Sequence, residues 1–434
     1  MRIALVVPHI FMHQEILPRV IFSPGQLALF LAQGLAQAGH EVCLFSPGPV
    51  EGLLEGLSVN LCGELFGEAS RNLSGKYFSK TNQLGDTRSK RLVKNQTADL
   101  KLFETELSAR GDSYLQLLKK HPLTFISLAR QVQSELIAIA YQQANQGEFD
   151  LVHVWANEEE LALVNARFCK APVVFTHHEP FNFLVKYRSI FSKYHQLNWV
   201  SLSLAQRKTL QLEKGYVNES AQKANWVGNV YHGLPRDLYQ FNAQPKDYLL
   251  YMGRIIKPKG VHLAIVAAKQ LGKKLKIAGK HYAGHSKDKY WQAKIKPLID
   301  GEQTEYLGFV RQAEEKQRLL GGAEALLMPS TWSEPFGLVM IEALACGTPV
   351  VGFDQGAIPE VIDQERATQM GLGLVGRLVA YDPDRKQKSI DRLAEAVKSL
   401  SQVDRRDCRT YFENRFSLEQ MVEGYGLVYE NVLR

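Results

Sequence analysis

The sequence predicts an α/β protein built from two doubly wound domains with mostly parallel sheets. Three observations carry this. Short apolar runs alternate with segments of helical period, which is the pattern of a parallel sheet covered by helices. The alternation occurs as two separate series, the second beginning after Pro245. The 434 residues are enough for two or three domains at roughly 100–200 residues each.

The first series opens with a buried-type strand at residues 3–7. Pro24-Gly25 then precedes a helix at 26–38 whose apolar positions include Leu27, Leu31 and Leu35. Gly39 ends that helix, and a strand follows at 41–45. Strands are expected again at 150–155 and 172–176, with a helix at 159–168 between them. In the second series strands are expected at 248–252, 274–278, 304–307, 325–328 and 349–353. Helices are expected at 261–271, 312–320, 338–345, 393–400 and 418–433. These elements place an N-terminal domain at 1–236 and a C-terminal domain at 237–415. The stretch 55–120 fits neither series. It is polar, basic and rich in Ser, Asn and Thr, and it reads as a long insertion, part loop and part helix.

Apolar residues are 45% and charged residues 22% of the chain, which excludes disorder, collagen or coiled coil as a description of the whole. Cys43, Cys62, Cys169, Cys346 and Cys408 lie far apart with no C-x-x-C, so a reducing compartment is expected and a structural zinc site is not. The short apolar run at the N-terminus stops at Pro8 and reads as a strand rather than a leader. No run approaches the ~18 apolar residues of a membrane span. The expected location is cytoplasmic. The net charge of +7 is uneven. Residues 71–101 hold eight basic and two acidic side chains, and residues 254–300 hold twelve and two. Such regions suit anions: phosphates, acidic lipid or nucleic acid. They equally suit a solvated lysine-rich surface. Tyr77 and Phe78 are the only aromatics in 71–101, so a base-stacking platform for nucleic acid is not expected.

Three motifs carry chemistry. The first is Glu334-Pro335-Phe336-Gly337-Leu338, running into a helix that contains Glu342 and stops at Gly347-Thr348-Pro349. Gly337 permits a ligand to approach the backbone, and the free N–H groups of the helix start suit an anion or sugar hydroxyls. Glu342 is placed to accept hydrogen bonds from vicinal hydroxyls such as those of a ribose. The second is Gly253-Arg254, followed by Lys259-Gly260: two cations framed by glycines after a strand. A diphosphate leaving group needs such partners, each charge-assisted contact being worth ~1.5–3 kcal/mol. Alone, the pattern also fits a plain strand-turn-helix with solvated cations. It is not a Walker A loop, because Gly-Lys-Ser/Thr is missing. The third is Thr176-His177-His178-Glu179, where a strand ends in two histidines able to bind a hydroxyl or move a proton. His177 is expected to be a strand-end residue satisfied by backbone. His9 ends the first strand and is expected to be structural or acceptor-lining. His153 is expected to be buried and hydrogen-bonded. Gly25 would let a phosphate approach the first helix, though Gly begins helices for steric reasons too. Asp382-Pro383-Asp384 reads as a turn rather than a metal-binding pair.

In order and spacing these motifs, with Leu307-Gly308-Phe309-Val310, resemble those of the retaining family 4 glycosyltransferases of the GT-B fold. The resemblance is close over residues 248–362 and looser elsewhere. It implies two Rossmann-like domains facing across a cleft, with the nucleotide sugar on the C-terminal domain and the acceptor on the N-terminal one. The helix at 416–434 would pack back on the N-terminal domain. It implies that Arg254 and Lys259 hold the diphosphate and that Glu342 binds the ribose. Glu334, with the backbone at Phe336, Gly337 and Leu338, would position the donor sugar. His178 would be the active-site histidine, with Gly25 a further donor contact and His9, His177 and Glu179 on the acceptor side. The family generally needs no metal, and the nucleotide sugar is a co-substrate rather than a cofactor. Two features depart from the family: Ser23-Pro24-Gly25-Gln26 stands where a Gly-Gly pair is usual, and Glu179-Pro180 follows the histidine.

The implied activity is transfer of a hexose to a hydroxyl acceptor, a glycan or a lipid-linked one. UDP is the first choice of nucleotide and GDP the second. Peripheral contact with anionic membrane through the basic insertion, at its inner face, is a further expectation. The rival readings are a sugar-nucleotide epimerase or phosphorylase of the same fold, and a non-catalytic anion- or membrane-binding relative. An NAD enzyme is disfavoured because Val7-Pro8-His9-Ile10-Phe11 lacks the glycines that should follow the first strand.

Overall fold

The computed structural model describes residues 1–17, 20, 22–48, 50, 93–98, 113–155, 159–181, 193–211, 224–281 and 288–434. The chain divides into two compact units. One comprises residues 1–202, 210–231 and 421–434, and the other residues 203–209 and 232–420.

Among the described residues, the first unit has a seven-stranded sheet in the order β3-β2-β1-β4-β5-β6-β7. Its strands are β1 (Arg2–Val6), β2 (Glu41–Ser46), β3 (Lys94–Thr97), β4 (Leu151–Trp155), β5 (Val173–Thr176), β6 (Asn198–Ser201) and β7 (Trp226–Asn229). Every neighbouring pair is parallel. Ile3, Ala4, Leu5 and Val6 are wholly buried, as befits a central strand covered on both faces. Helix α1 (Ser23–Gln37) carries Pro24 in its first turn, and Leu27, Leu31 and Leu35 lie in the core. Two helices, α2 (Tyr114–Lys120) and α3 (Pro122–Asn145), lie between β3 and β4. Helix α3 starts at a proline and buries Phe125, Leu128, Val132, Leu136, Ala140 and Ala144, one stripe at helical spacing. The short helix α4 (Glu160–Asn165) follows β4.

The stretch 55–120, expected as part loop and part helix, does hold a helix at its far end, α2 (Tyr114–Lys120), but it also holds a strand that was not expected: Lys94–Thr97 is the edge strand of the sheet. Strand β3 is polar throughout, which hides it from a search for apolar runs. It is held by ladder bonds to β2 and by Asn95, whose Nδ2 donates to the Leu44 carbonyl and to Ser46 Oγ, both at 2.8 Å. Of the basic stretch 71–101, all but residues 93–98 lies outside the described residues, as does Cys62.

The second unit has a six-stranded parallel sheet in the order β10-β9-β8-β11-β12-β13. Its strands are β8 (Leu249–Met252), β9 (Leu275–Ala278), β10 (Thr304–Gly308), β11 (Ala325–Met328), β12 (Val350–Phe353) and β13 (Gly376–Val379). Helices α5 (Val261–Gln270), α6 (Ala313–Gly322) and α7 (Leu338–Ala345) connect them. Helix α8 (Lys386–Lys398) is longer than the expected 393–400, because a lysine-rich first turn precedes its apolar face. Helix α9 (Arg405–Arg415) completes the second unit, and most of helix α10 (Leu418–Leu433) belongs to the first.

In both sheets sequence order reverses once, between β1 and β4 in the first and between β8 and β11 in the second. Open α/β sheets bind ligands beyond the carboxyl ends of their strands at such a switch point.

Candidate functional site

The two strongest motifs meet at the switch point of the second sheet. Met252 ends β8 and hands the chain to Gly253-Arg254, while Met328 ends β11 and leads to Pro329 and Glu334. Backbone contact knits the loops together. The Thr331 amide donates to the Pro258 carbonyl at 2.7 Å, and Thr331 Oγ1 donates to the same oxygen at 3.2 Å. Gly260 makes this approach possible. Its φ is +69°, and a Cβ there would lie 1.9 Å from the Pro329 carbonyl oxygen. Gly337 has φ +90° and caps α7 with no side-chain bond to the first turn.

Lys259 and Glu334 form the centre of this cluster. Lys259 Nζ donates to both oxygens of Glu334, at 2.7 and 2.5 Å. Trp332 Nε1 donates to Oε2 at 2.9 Å and Ser330 Oγ to the same oxygen at 3.3 Å. Glu334 is only 4% exposed. Burial alone would push its pKa up. The charge and hydrogen bond of Lys259, the Trp332 N–H and the charge of Arg254 outweigh burial and hold the carboxyl below its ordinary range. The Trp332 ring lies 5.2 Å from Lys259 Nζ and 5.9 Å from the Arg254 guanidinium. One buried carboxylate thus faces two cations over an indole, a layout suited to an anion with hydroxyls beside it.

Glu342 lies on α7, 8% exposed. Its Oε1 accepts from Lys316 Nζ at 2.5 Å and from the Tyr239 hydroxyl at 3.0 Å. Phe336 turns its ring into the core, edge-on to His232 at 4.9 Å, so only its backbone is placed for a ligand; Leu338 is half-buried. Thr348 binds a staple rather than a ligand. Buried Arg405 donates to the carbonyls of Asn242, Ala323 and Gly321 and to Thr348 Oγ1, at 2.6–2.9 Å. Asp382 Oδ1 accepts from the amides of Asp384 and Arg385, which makes that segment a turn.

In the first unit the histidines stand at the carboxyl ends of β1 and β5. His178 is buried, its ring 4.6 Å from and edge-on to Trp155, whose Nε1 donates to the Pro24 carbonyl at 2.8 Å. His9 caps a 3-10 turn, its Nδ1 accepting from the Phe11 amide at 3.1 Å, and its ring lies 4.5 Å from Phe22. Gly25 faces that same Phe22, where a Cβ would come within 2.7 Å of the ring. Packing therefore accounts for this glycine. His177 differs from expectation. Its Nδ1 bonds Glu159 Oε1 at 2.5 Å, a carboxylate from the β4 end rather than backbone. Glu179 is half-buried beside them. His153 is wholly buried and bonds the Tyr429 hydroxyl at 2.7 Å and Thr176 Oγ1 at 2.9 Å.

The sequence analysis missed Trp332, Ser330, Lys316, Tyr239, Glu159 and Arg405. Trp332 and Ser330 stand just before the glutamate motif. The others come from distant segments and carry no local signal. Among the described residues no group of three or more His, Cys, Asp or Glu is placed to hold a metal ion, and no helix is long and apolar enough to cross a membrane.

Comparison with known proteins gives the class first. The chain has the GT-B fold of two parallel-sheet, Rossmann-like domains. Over its whole length it is similar to AviGT4, a glycosyltransferase involved in avilamycin A biosynthesis, with 17% identity, 98% of that chain covered and a TM-score of 0.60. It is likewise similar to Anabaena Alr3699/HepE in complex with UDP and glucose, with 15% identity, 98% of each chain and a TM-score of 0.60. The family follows: residues 240–371 match the family Glycosyl transferases group 1, and the chain carries that family's region there. The putative glycosyltransferase YtcC of Bacillus subtilis is 23% identical over 72% of this chain and 80% of its own length. An alpha-maltose-1-phosphate synthase of Mycobacterium tuberculosis is 42% identical over 84 residues, 19% of each chain. The chain thus spans about a fifth of the length of that relative.

Proposed function

We propose that the protein is a retaining glycosyltransferase that moves a hexose from a nucleoside-diphosphate sugar, a UDP-sugar first and a GDP-sugar second, to a hydroxyl acceptor on a glycan or lipid-linked chain. The observation that carries this is the Lys259–Glu334 cluster with Arg254 at the switch point of the second sheet. A solved relative of the same fold, at 15% identity, is described in complex with UDP and glucose, which supports UDP as the nucleotide.

In this reading Arg254 and Lys259 take the diphosphate and Glu342 takes the ribose. Glu334 and the backbone from Phe336 to Leu338 take the hexose hydroxyls. The bond between the anomeric carbon and the diphosphate oxygen breaks, and its electron pair stays on that oxygen. Arg254 and Lys259 stabilise the charge growing there. The acceptor oxygen bonds the anomeric carbon on the same face, and its proton passes to the departing phosphate oxygen. His178 would be the active-site histidine, able to bind a sugar hydroxyl or move a proton, with His9, His177 and Glu179 on the acceptor side. The role of the 71–101 stretch at an anionic membrane stays part of the proposal, as does action without a metal.

The test is a thermal-shift screen against UDP, GDP, ADP, their sugar conjugates and NAD, with and without magnesium, followed by NMR of the product anomer. A ligand bound to the folded state raises its melting temperature. A rise with one nucleoside diphosphate, independent of magnesium and lost in Glu342→Ala, is expected, with the product keeping the donor's anomeric configuration. No rise with any nucleoside diphosphate, or an inverted product, overturns the proposal.

A further inference from the structure

We infer that Lys316 and Tyr239 are specificity-determining positioning residues, which lock Glu342 so that the site selects ribonucleotides over deoxyribonucleotides. The inference rests on the nucleotide-sugar reading above and deepens it.

A carboxylate oxygen offers two lone-pair directions. On Glu342 Oε1 both are used, one by the Lys316 ammonium at 2.5 Å and one by the Tyr239 hydroxyl at 3.0 Å. What is left for a ligand is Oε2. A vicinal diol must then place both of its hydroxyls on that one oxygen, which only a ribose with both hydroxyls can do.

The two clamping groups are themselves held. Lys316 lies on α6, the helix after β10, and its ammonium also lies 5.8 Å from the Tyr239 ring. The Tyr239 backbone is fixed by Arg409 of α9, which donates to the Tyr239 carbonyl at 2.7 Å and to the carbonyl of Ala345, the last residue of α7, at 2.8 Å. One arginine thus ties the tyrosine to the helix that bears Glu342. The Lys316 side chain is 30% exposed and that of Glu342 11%. The pair is therefore shielded enough to hold one rotamer, yet open to a ligand on one side.

The test is calorimetric titration of the full chain with UDP, 2′-deoxy-UDP and 3′-deoxy-UDP. The variants are Lys316→Met, Tyr239→Phe and Lys316→Arg, each checked by its melting curve. Wild type is expected to prefer UDP over either deoxy form by tenfold or more. Lys316→Met should bring that ratio below threefold, Tyr239→Phe to an intermediate value, and Lys316→Arg should restore it. A merely structural role weakens all three ligands alike and leaves the ratio unchanged, and that result in Lys316→Met overturns the inference. If Lys316→Met does not fold, the ratio in Tyr239→Phe decides by the same criterion. If wild type binds none of the three, GDP and its 2′- and 3′-deoxy forms decide the ratio by the same criterion, and failure to bind GDP as well overturns the nucleotide-sugar reading itself, and this inference with it.

Discussion

In the free protein Glu334 occupies the ammonium that an incoming diphosphate would use. Glu334→Gln removes its charge at constant volume. In the proposed complex Lys259 would stand between the carboxylate and a phosphate. With 2.5–2.7 Å from Nζ to the carboxylate oxygens, and a similar reach to the phosphate, the two anions come to about 5 Å. Their repulsion is then about 3 kcal/mol at an effective dielectric of 20, as an upper bound. Salt and the solvent that still reaches Lys259, whose side chain is 15% exposed, reduce this to about 1–2 kcal/mol. UDP should therefore bind Glu334→Gln about 5–30-fold more tightly than wild type. The same change deprives the hexose of a charged acceptor, so turnover of the UDP-sugar should fall by about 100-fold. Calorimetry with UDP and a coupled assay of UDP release read the two effects separately. Weaker UDP binding in Glu334→Gln, or unchanged turnover, refutes the view that this carboxylate both holds Lys259 and serves the sugar.

Other expectations follow from single features. Lys259→Ala should cut turnover by about 100-fold or more, and should also lower the melting temperature, because the buried Glu334 carboxylate loses its cation; near-wild-type rates would refute the leaving-group role. Gly260→Ala should separate the two motif loops, because its Cβ would fall 1.9 Å from the Pro329 oxygen at a φ of +69°; unchanged UDP affinity would show that the loop contact is dispensable. Arg405→Ala strands three buried carbonyls and a threonine hydroxyl, and should cost about 3–5 kcal/mol in urea unfolding. His153 and His232 are pushed down to about 3 by burial. Both are neutral when folded, whereas the unfolded chain takes up their protons below about pH 6.5. Stability should therefore be flat above that pH and fall below it, by about 2 kcal/mol per histidine at pH 5. Equal urea midpoints at pH 7.5 and pH 5 would refute this. Glu334 stays outside that window, because its depressed pKa keeps it charged until the pH drops below the ordinary carboxylate range.

The parts of the fold that were legible are those whose cause is local. Strands such as β1 and β11 are unbroken apolar runs, and α7 is bracketed by Gly337 and Gly347, so composition alone marks their ends. Strand β3 was illegible because nothing in Lys-Asn-Gln-Thr asks to be buried; its place comes from the backbone of β2. Helix α3 does carry a stripe, from Phe125 to Ala144, which the reading by series left unassigned. At the site, the cations and carboxylates stand in the motifs themselves. Their partners do not. Tyr239 and Lys316 reach Glu342 from 103 and 26 residues away, and only the folded sheet brings them there. His177 shows the same limit: a buried imidazole needs a partner, but the sequence did not say that Glu159 would supply it.

The tyrosines on α10 set an order of events during synthesis. His153 and Thr176 lie in the middle of the first unit, yet their hydroxyl partners, Tyr429 at 2.7 Å from His153 Nδ1 and Tyr425 at 3.2 Å from Thr176 Oγ1, are made only after most of the second unit. Between residue 231 and residue 421 the ribosome adds a stretch that takes about 10–40 s at common translation rates. For that interval the nascent first unit carries a polar notch beneath its sheet, open to water or to a chaperone, and the second unit can finish before the first is sealed. The helix that closes the notch is thus a late-arriving plug, and a stalled ribosome leaves a first unit with a wet, unfinished floor.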